Sequence, residues 1–176
     1  MRSGTAALGA LVAASLAGLL TGAGAQDPPA DRRALPKDFP DPAALVKALK
    51  QTPGCLGAEM ARTEGGKLLI FSWFEDRKAL LNWYTSEAHR QGMKKHFGLE
   101  PSATPLRNVP DNGAPILAIT SFTPADEAHF KETRLPVSQL AIELYQPLPG
   151  GIAAGGRLAP EGLKVPKMRV YAPGEK

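Results

Sequence analysis

A single cysteine, Cys55, stands in the 176 residues, which excludes an intrachain disulfide framework and any zinc cluster built on several thiolates. There is no block of like charge. A net charge of +4 spread over the chain is too weak and too dispersed to mark a nucleic-acid surface. The glycines between Gly150 and Gly156 lack the strand and helix that frame a dinucleotide fingerprint. Paired carboxylates, a nucleophile elbow and a phosphate loop are missing as well. The apolar run from Ala6 to Leu20 is short for a membrane span. Aromatic residues are only 6% of the chain, so the place where they gather carries information.

Arg2, the apolar run and the small-residue triplet Ala23-Gly24-Ala25 before Gln26 form the pattern of a secretory signal peptide over residues 1–25. The expectation is a secreted or periplasmic protein with no membrane segment once the leader is removed. About 150 residues would remain, enough for one domain with a real core and cramped for two. Residues 26–40 hold Pro28, Pro29, Pro36 and Pro40 among charges and are read as an extended Pro-rich linker.

Residues 41–147 are read as an α+β domain, one antiparallel sheet with helices on one face. Asp41-Pro42 caps a short helix whose stripe is Leu45, Val46 and Leu49, and Pro53-Gly54 ends it. Strands follow over 55–62 and 67–74 around the turn Glu64-Gly65-Gly66. Asp76 caps a helix running to Phe97, with a re-capping or bend at Ser86 and a C-cap at Gly98. After a loop, 116–122 is a strand, 124–132 a short helix and 138–145 a half-buried strand with Leu140, Ile142 and Leu144 on one face. Residues 148–176 are read as an irregular Gly/Pro-rich arm with a short strand near 168–171. The strand Leu68–Phe74 is apolar on both faces. One face suits the helices; the other needs a second cover, and a homodimer is the expected source.

Pro53-Gly54-Cys55-Leu56-Gly57, the strand ending Trp73-Phe74-Glu75-Asp76, Ala79-Leu80, Trp83 and Ser86-Glu87-Ala88-His89 together resemble the antibiotic biosynthesis monooxygenase (ABM) family over about a third of the chain. The resemblance implies a ferredoxin-like sheet that pairs into a dimeric α/β barrel. It also implies a range of roles, from metal-free oxygenases of quinols and polyketides through haem-degrading enzymes to members without known activity. Two departures stand out. The family begins with a strand before its first helix, and here only the linker precedes Asp41; residues 116–122 or 138–145 are expected to supply it in a rearranged strand order. The haem-degrading branch uses an Asn, a Trp and a His ten residues beyond that Trp. Trp83 fits the Trp, but Met93 occupies the tenth position and the Asn has no counterpart.

Two constellations carry possible chemistry. Trp73, Trp83, Tyr84 and Phe71 are the expected walls of a small apolar pocket for a planar aromatic ligand, with His89 taking a hydroxyl proton as catalytic acid/base. On that reading the protein is a cofactor-independent monooxygenase of a quinol or similar electron-rich aromatic. The alternative for the same aromatic residues is ordinary core packing, which leaves a non-catalytic ligand-binding domain. Separately, His89, Met93 and His96 share one helical face, and imidazole and thioether suit haem iron or copper; the alternative is packing at a seam. Cys55 is read as a buried structural thiol, and His129 as solvated.

Overall fold

The computed structural model describes residues 35–99, 102 and 104–174; the signal-peptide reading and the linker up to residue 34 lie outside them. Helix α1 (Pro42–Lys50) starts where the Asp41 carboxylate accepts the Ala43 N–H at 2.9 Å, with Pro42 in the first turn and Lys47 and Lys50 at the negative end of the helix dipole. Pro53-Gly54 then turns the chain into β1 (Cys55–Arg62). Gly54 has φ +82°, and a Cβ there would overlap Ala79. The glycine of this turn therefore lets the next helix lie directly on it.

Strand β2 (Leu68–Phe74) pairs antiparallel with β1, and β3 (Ile116–Pro124) and β4 (Val137–Tyr145) extend the sheet in the order β1-β2-β3-β4. Helices α2 (Arg77–Thr85) and α3 (Glu87–Phe97) connect β2 to β3 by way of a long loop. The result is an α+β, ferredoxin-like architecture with a rearranged strand order. In the split β-α-β plan the first strand sits beside the third, opposite the second. Here β3 occupies that place beside β2, so among the described residues a strand from later in the chain stands where the split plan puts its first.

The register separates β2 into two faces. Leu68, Ile70, Ser72 and Phe74 point with Ala58, Ile116, Ala118 and Phe122 toward the helices, and these apolar side chains form the core with Leu49, Ala79 and Leu80. Full burial of a side chain the size of Leu or Phe contributes about 1.5–3 kcal/mol, and Leu68, Ile70, Phe74, Ile116 and Val137 are all under 2% exposed. Ser72 is satisfied on this face by donating to the Ala118 carbonyl at 3.3 Å. Phe39, in the stretch expected to be linker, meets Phe122 edge-on at 5.5 Å and belongs to the core. The proline-rich approach thus ends in an apolar plug.

Three other expectations are corrected. Residues 125–132 form turns rather than a helix: the Ala125 and His129 N–H groups donate to the carbonyls of Pro136 and Val137, so this backbone is tied to the start of β4. On β4 the alternation is present but the cover is not, because the helices stop short of it and Ile142 and Leu144 are 61% and 37% exposed. The arm is more regular than its composition implies. Its segments β5 (Ile152–Ala154) and β6 (Arg169–Tyr171) pair in parallel. Between them the Arg157 guanidinium donates to the carbonyls of Pro160, Glu161 and Leu163 and to the Met168 sulfur.

That arm reaches the outer face of the sheet, where Leu69, Phe71 and Trp73 lie with Leu117 and Ile119. Pro160 sits over Gly57, the cross-strand partner of Trp73, so closely that a Cβ at Gly57 would stand 3.1 Å from its ring. Gly162 faces Leu56, Leu163 is buried, and Trp73 is only 3% exposed. The chain itself therefore covers the Trp73 end of the outer face. Leu69, Phe71, Leu117 and Ile119 remain half-buried.

Candidate functional site

Asp76 begins α2 by accepting the Ala79 N–H at 2.8 Å. The helix ends at Ser86, whose backbone is extended (φ −63°, ψ 151°) and whose hydroxyl at once caps α3 by accepting the His89 N–H at 3.2 Å. One serine thus closes one helix and opens the next. The break folds the first turn of α3 against the last turn of α2: the His89 ring lies 4.7 Å from Tyr84, tilted 35°, and 5.5 Å from Trp83, near edge-on at 70°.

His89 is half-buried, and its Nδ1 is buried without a hydrogen-bond partner among the described residues. Burial pushes the imidazole below its ordinary value, and the Tyr84 backbone offsets part of that shift. Burial thus favours the uncharged form of the ring.

The four aromatic residues expected to wall a single pocket are divided by the sheet. Trp83 packs against the core on the helix side, with Tyr84 and His89. Phe71 and Trp73 stack on the outer face, centroids 6.0 Å apart at 21°. Trp73 lines a different hollow of about 310 Å³ together with Lys50, Cys55, Glu59 and Pro160. Burial raises the Cys55 thiol pKa, against the Gly57 carbonyl contact and the charge of Lys50, so it is a poor nucleophile. Met93 and His96 share α3 with His89 and are half-buried. The His96 carbonyl accepts from Arg134 N and the Thr133 hydroxyl, and its ring is shifted down by burial and by Lys95. Among the described residues no group of three His, Cys, Asp or Glu converges as a metal site would.

The loop after α3 was expected, but the groove beside it was not. An open groove of about 420 Å³ lies between Tyr84, Ser102 and residues 104–109. Its only sequence mark is a cluster of Pro and Asn, which says loop and nothing more.

The segment that builds α1, β1, β2, α2 and most of α3 also has a counterpart among known families. Residues 42–95 match the antibiotic biosynthesis monooxygenase (ABM) family model. The ABM match spans the Gly54 turn, the two-faced strand and the Ser86 break, and the remaining strands and the arm lie beyond it. No curated protein and no solved structure matches the chain. Among the described residues no helix is long and apolar enough to cross a membrane.

Proposed function

We propose that the chain is an exported ABM-type oxygenase of a hydroxylated, electron-rich aromatic such as a quinol, working without a bound cofactor. The observation that supports this is His89: an imidazole held between the rings of Tyr84 and Trp83, its Nδ1 buried without a hydrogen bond of good geometry. Burial there favours the neutral ring, and the Tyr84 backbone partly opposes it. A base of that kind takes the proton of a phenol, and the electron-rich phenolate then reacts with dioxygen. One oxygen atom replaces a ring hydrogen to give a quinone, the other leaves as water, and the substrate supplies the electrons. Oxygen uptake with a panel of hydroquinones and hydroxylated polycyclic aromatics tests this. Uptake is expected in the native protein and lost in His89→Ala; equal uptake in the variant removes His89 from the reaction.

The second reading, haem or copper ligation by His89, Met93 and His96, draws on the same open Nδ1 and on the shared face of α3. It predicts a visible absorption band, or copper by elemental analysis, that disappears in a His89→Ala/His96→Ala variant. A non-catalytic binding domain would show neither signal but would gain thermal stability from its ligand. The proposed assembly is a homodimer through the outer sheet face, where Leu69, Phe71, Leu117 and Ile119 keep partial exposure. A strictly monomeric species in light scattering at micromolar concentration contradicts it.

A further inference from the structure

We infer that the groove between Tyr84 and residues 104–109 is an anion-recognising site, and that the aromatic it takes carries a carboxylate or an equivalent negative group read by Arg107. The inference rests on the proposed oxygenase for the aromatic half of the ligand; the anionic half stands on the loop itself.

The groove's volume of about 420 Å³ suits a small molecule. Its apolar part is Tyr84, Leu106 and Val109, the last two packed against the core. Its polar rim has Arg107, Asn108 and Thr104, and no acidic side chain is among the described lining residues.

The loop is tied from behind at Leu106. Arg77 donates to the Leu106 carbonyl through Nε at 3.3 Å and Nη2 at 3.1 Å, and the same oxygen accepts the Val109 N–H at 3.0 Å. Arg77 also stands 3.9 Å from Asp111. These contacts hold Leu106 at φ 58°, a left-handed conformation unfavourable for a side chain with a Cβ. Strain of this kind persists where surrounding contacts over-determine it, and it gathers at binding sites.

The neighbouring cation is left over. Arg107 is exposed, and among the described residues it has neither a hydrogen bond nor an ion pair. Arg77 supports the loop; Arg107 presents a planar fork of N–H donors at the rim of an aromatic-walled hollow. A carboxylate on a ring is the ligand chemistry that uses both, since guanidinium binds carboxylate through two parallel hydrogen bonds while the ring lies on tyrosine and aliphatic carbon.

The test is calorimetric titration of the full chain with 4-hydroxybenzoate and, in parallel, with hydroquinone, its neutral counterpart. The carboxylate is expected to bind about tenfold tighter, with a preference that falls as salt is added. In Arg107→Gln, checked for an unchanged unfolding temperature, that preference collapses to near one, and Arg107→Lys restores part of it. Equal affinity for the two compounds in the native protein, or an undiminished preference in Arg107→Gln, overturns the inference. The two proposals separate cleanly. Carboxylate binding that depends on Arg107 but comes with no oxygen uptake removes the oxygenase and leaves the groove standing. Uptake from hydroquinone with no carboxylate preference removes the groove alone.

Discussion

The two faces of β2 are built by different means. The inner face is closed by helices that lie next to β2 in the chain, and its side chains reach 0–1% exposure at Leu68, Ile70 and Phe74. The outer face is closed at one end only, by an arm that starts more than seventy residues later in the sequence, and it leaves Phe71 half-buried. Both sides are largely apolar, with Ser72 the one polar side chain, on the inner face. What differs is how far along the chain the cover comes from, and how much of the strand it reaches.

The largest effect should come from the inner face. Phe74→Ala is expected to lose about 3–5 kcal/mol in denaturant unfolding, while Phe71→Ala loses well under half of that unless a second copy covers it. Equal losses would show that the outer face is sealed in solution. Next, Leu163→Ala should cost about 2–3 kcal/mol and shift tryptophan emission to the red as Trp73 meets water. Unchanged emission would mean that the arm does not shield the indole. Asp76→Ala, which removes a cap from the helix lying over the inner face, should cost about 1 kcal/mol and lower helical circular dichroism slightly.

The smallest effect is one of pH. The folded-state pKa of His89 lies below its unfolded value, so the unfolded chain binds the proton more readily. The resulting stability is present above about pH 6.5 and declines as pH falls below it. His96 is shifted the same way and adds to the slope. His89→Gln should therefore flatten the acid limb of a plot of stability against pH without abolishing it. A slope identical to that of the native protein would show that His89 is solvated.

Much of the inner half was legible because its signals are local. Asp41, Asp76, Ser86 and Gly98 mark helix ends by chemistry that acts within four residues. The Pro53-Gly54 turn, the Glu64-Gly65-Gly66 turn and the apolar run of β2 are likewise contained in the segment itself. The rest failed where distant contacts decide. Residues 125–132 have a helical start signal in Thr123-Pro124, yet Pro136 and Val137 claim their N–H groups. The parallel pairing of β5 with β6 joins residues separated by the Arg157 loop, and no periodicity in three-residue strands announces it. Of the site, His89 with Trp83 and Tyr84 could be read from helical spacing and the Ser86 signal. The separation of Phe71 and Trp73 from them follows from pleat parity, since 71 and 73 are odd where the core positions 68, 70 and 74 are even. The groove over Tyr84 depends on one backbone oxygen captured by Arg77, for which the sequence has no sign.

Arg157 alone gathers three carbonyls and a thioether into one knot. All four acceptors belong to the arm, as does the parallel pairing of β5 with β6, so the segment lying on the sheet is shaped from within around one side chain. The knot also conceals the arginine from trypsin. Cleavage after Arg157 thus becomes a clock for the opening of that knot, in which Pro160, the residue seated over Gly57, holds one of the acceptors.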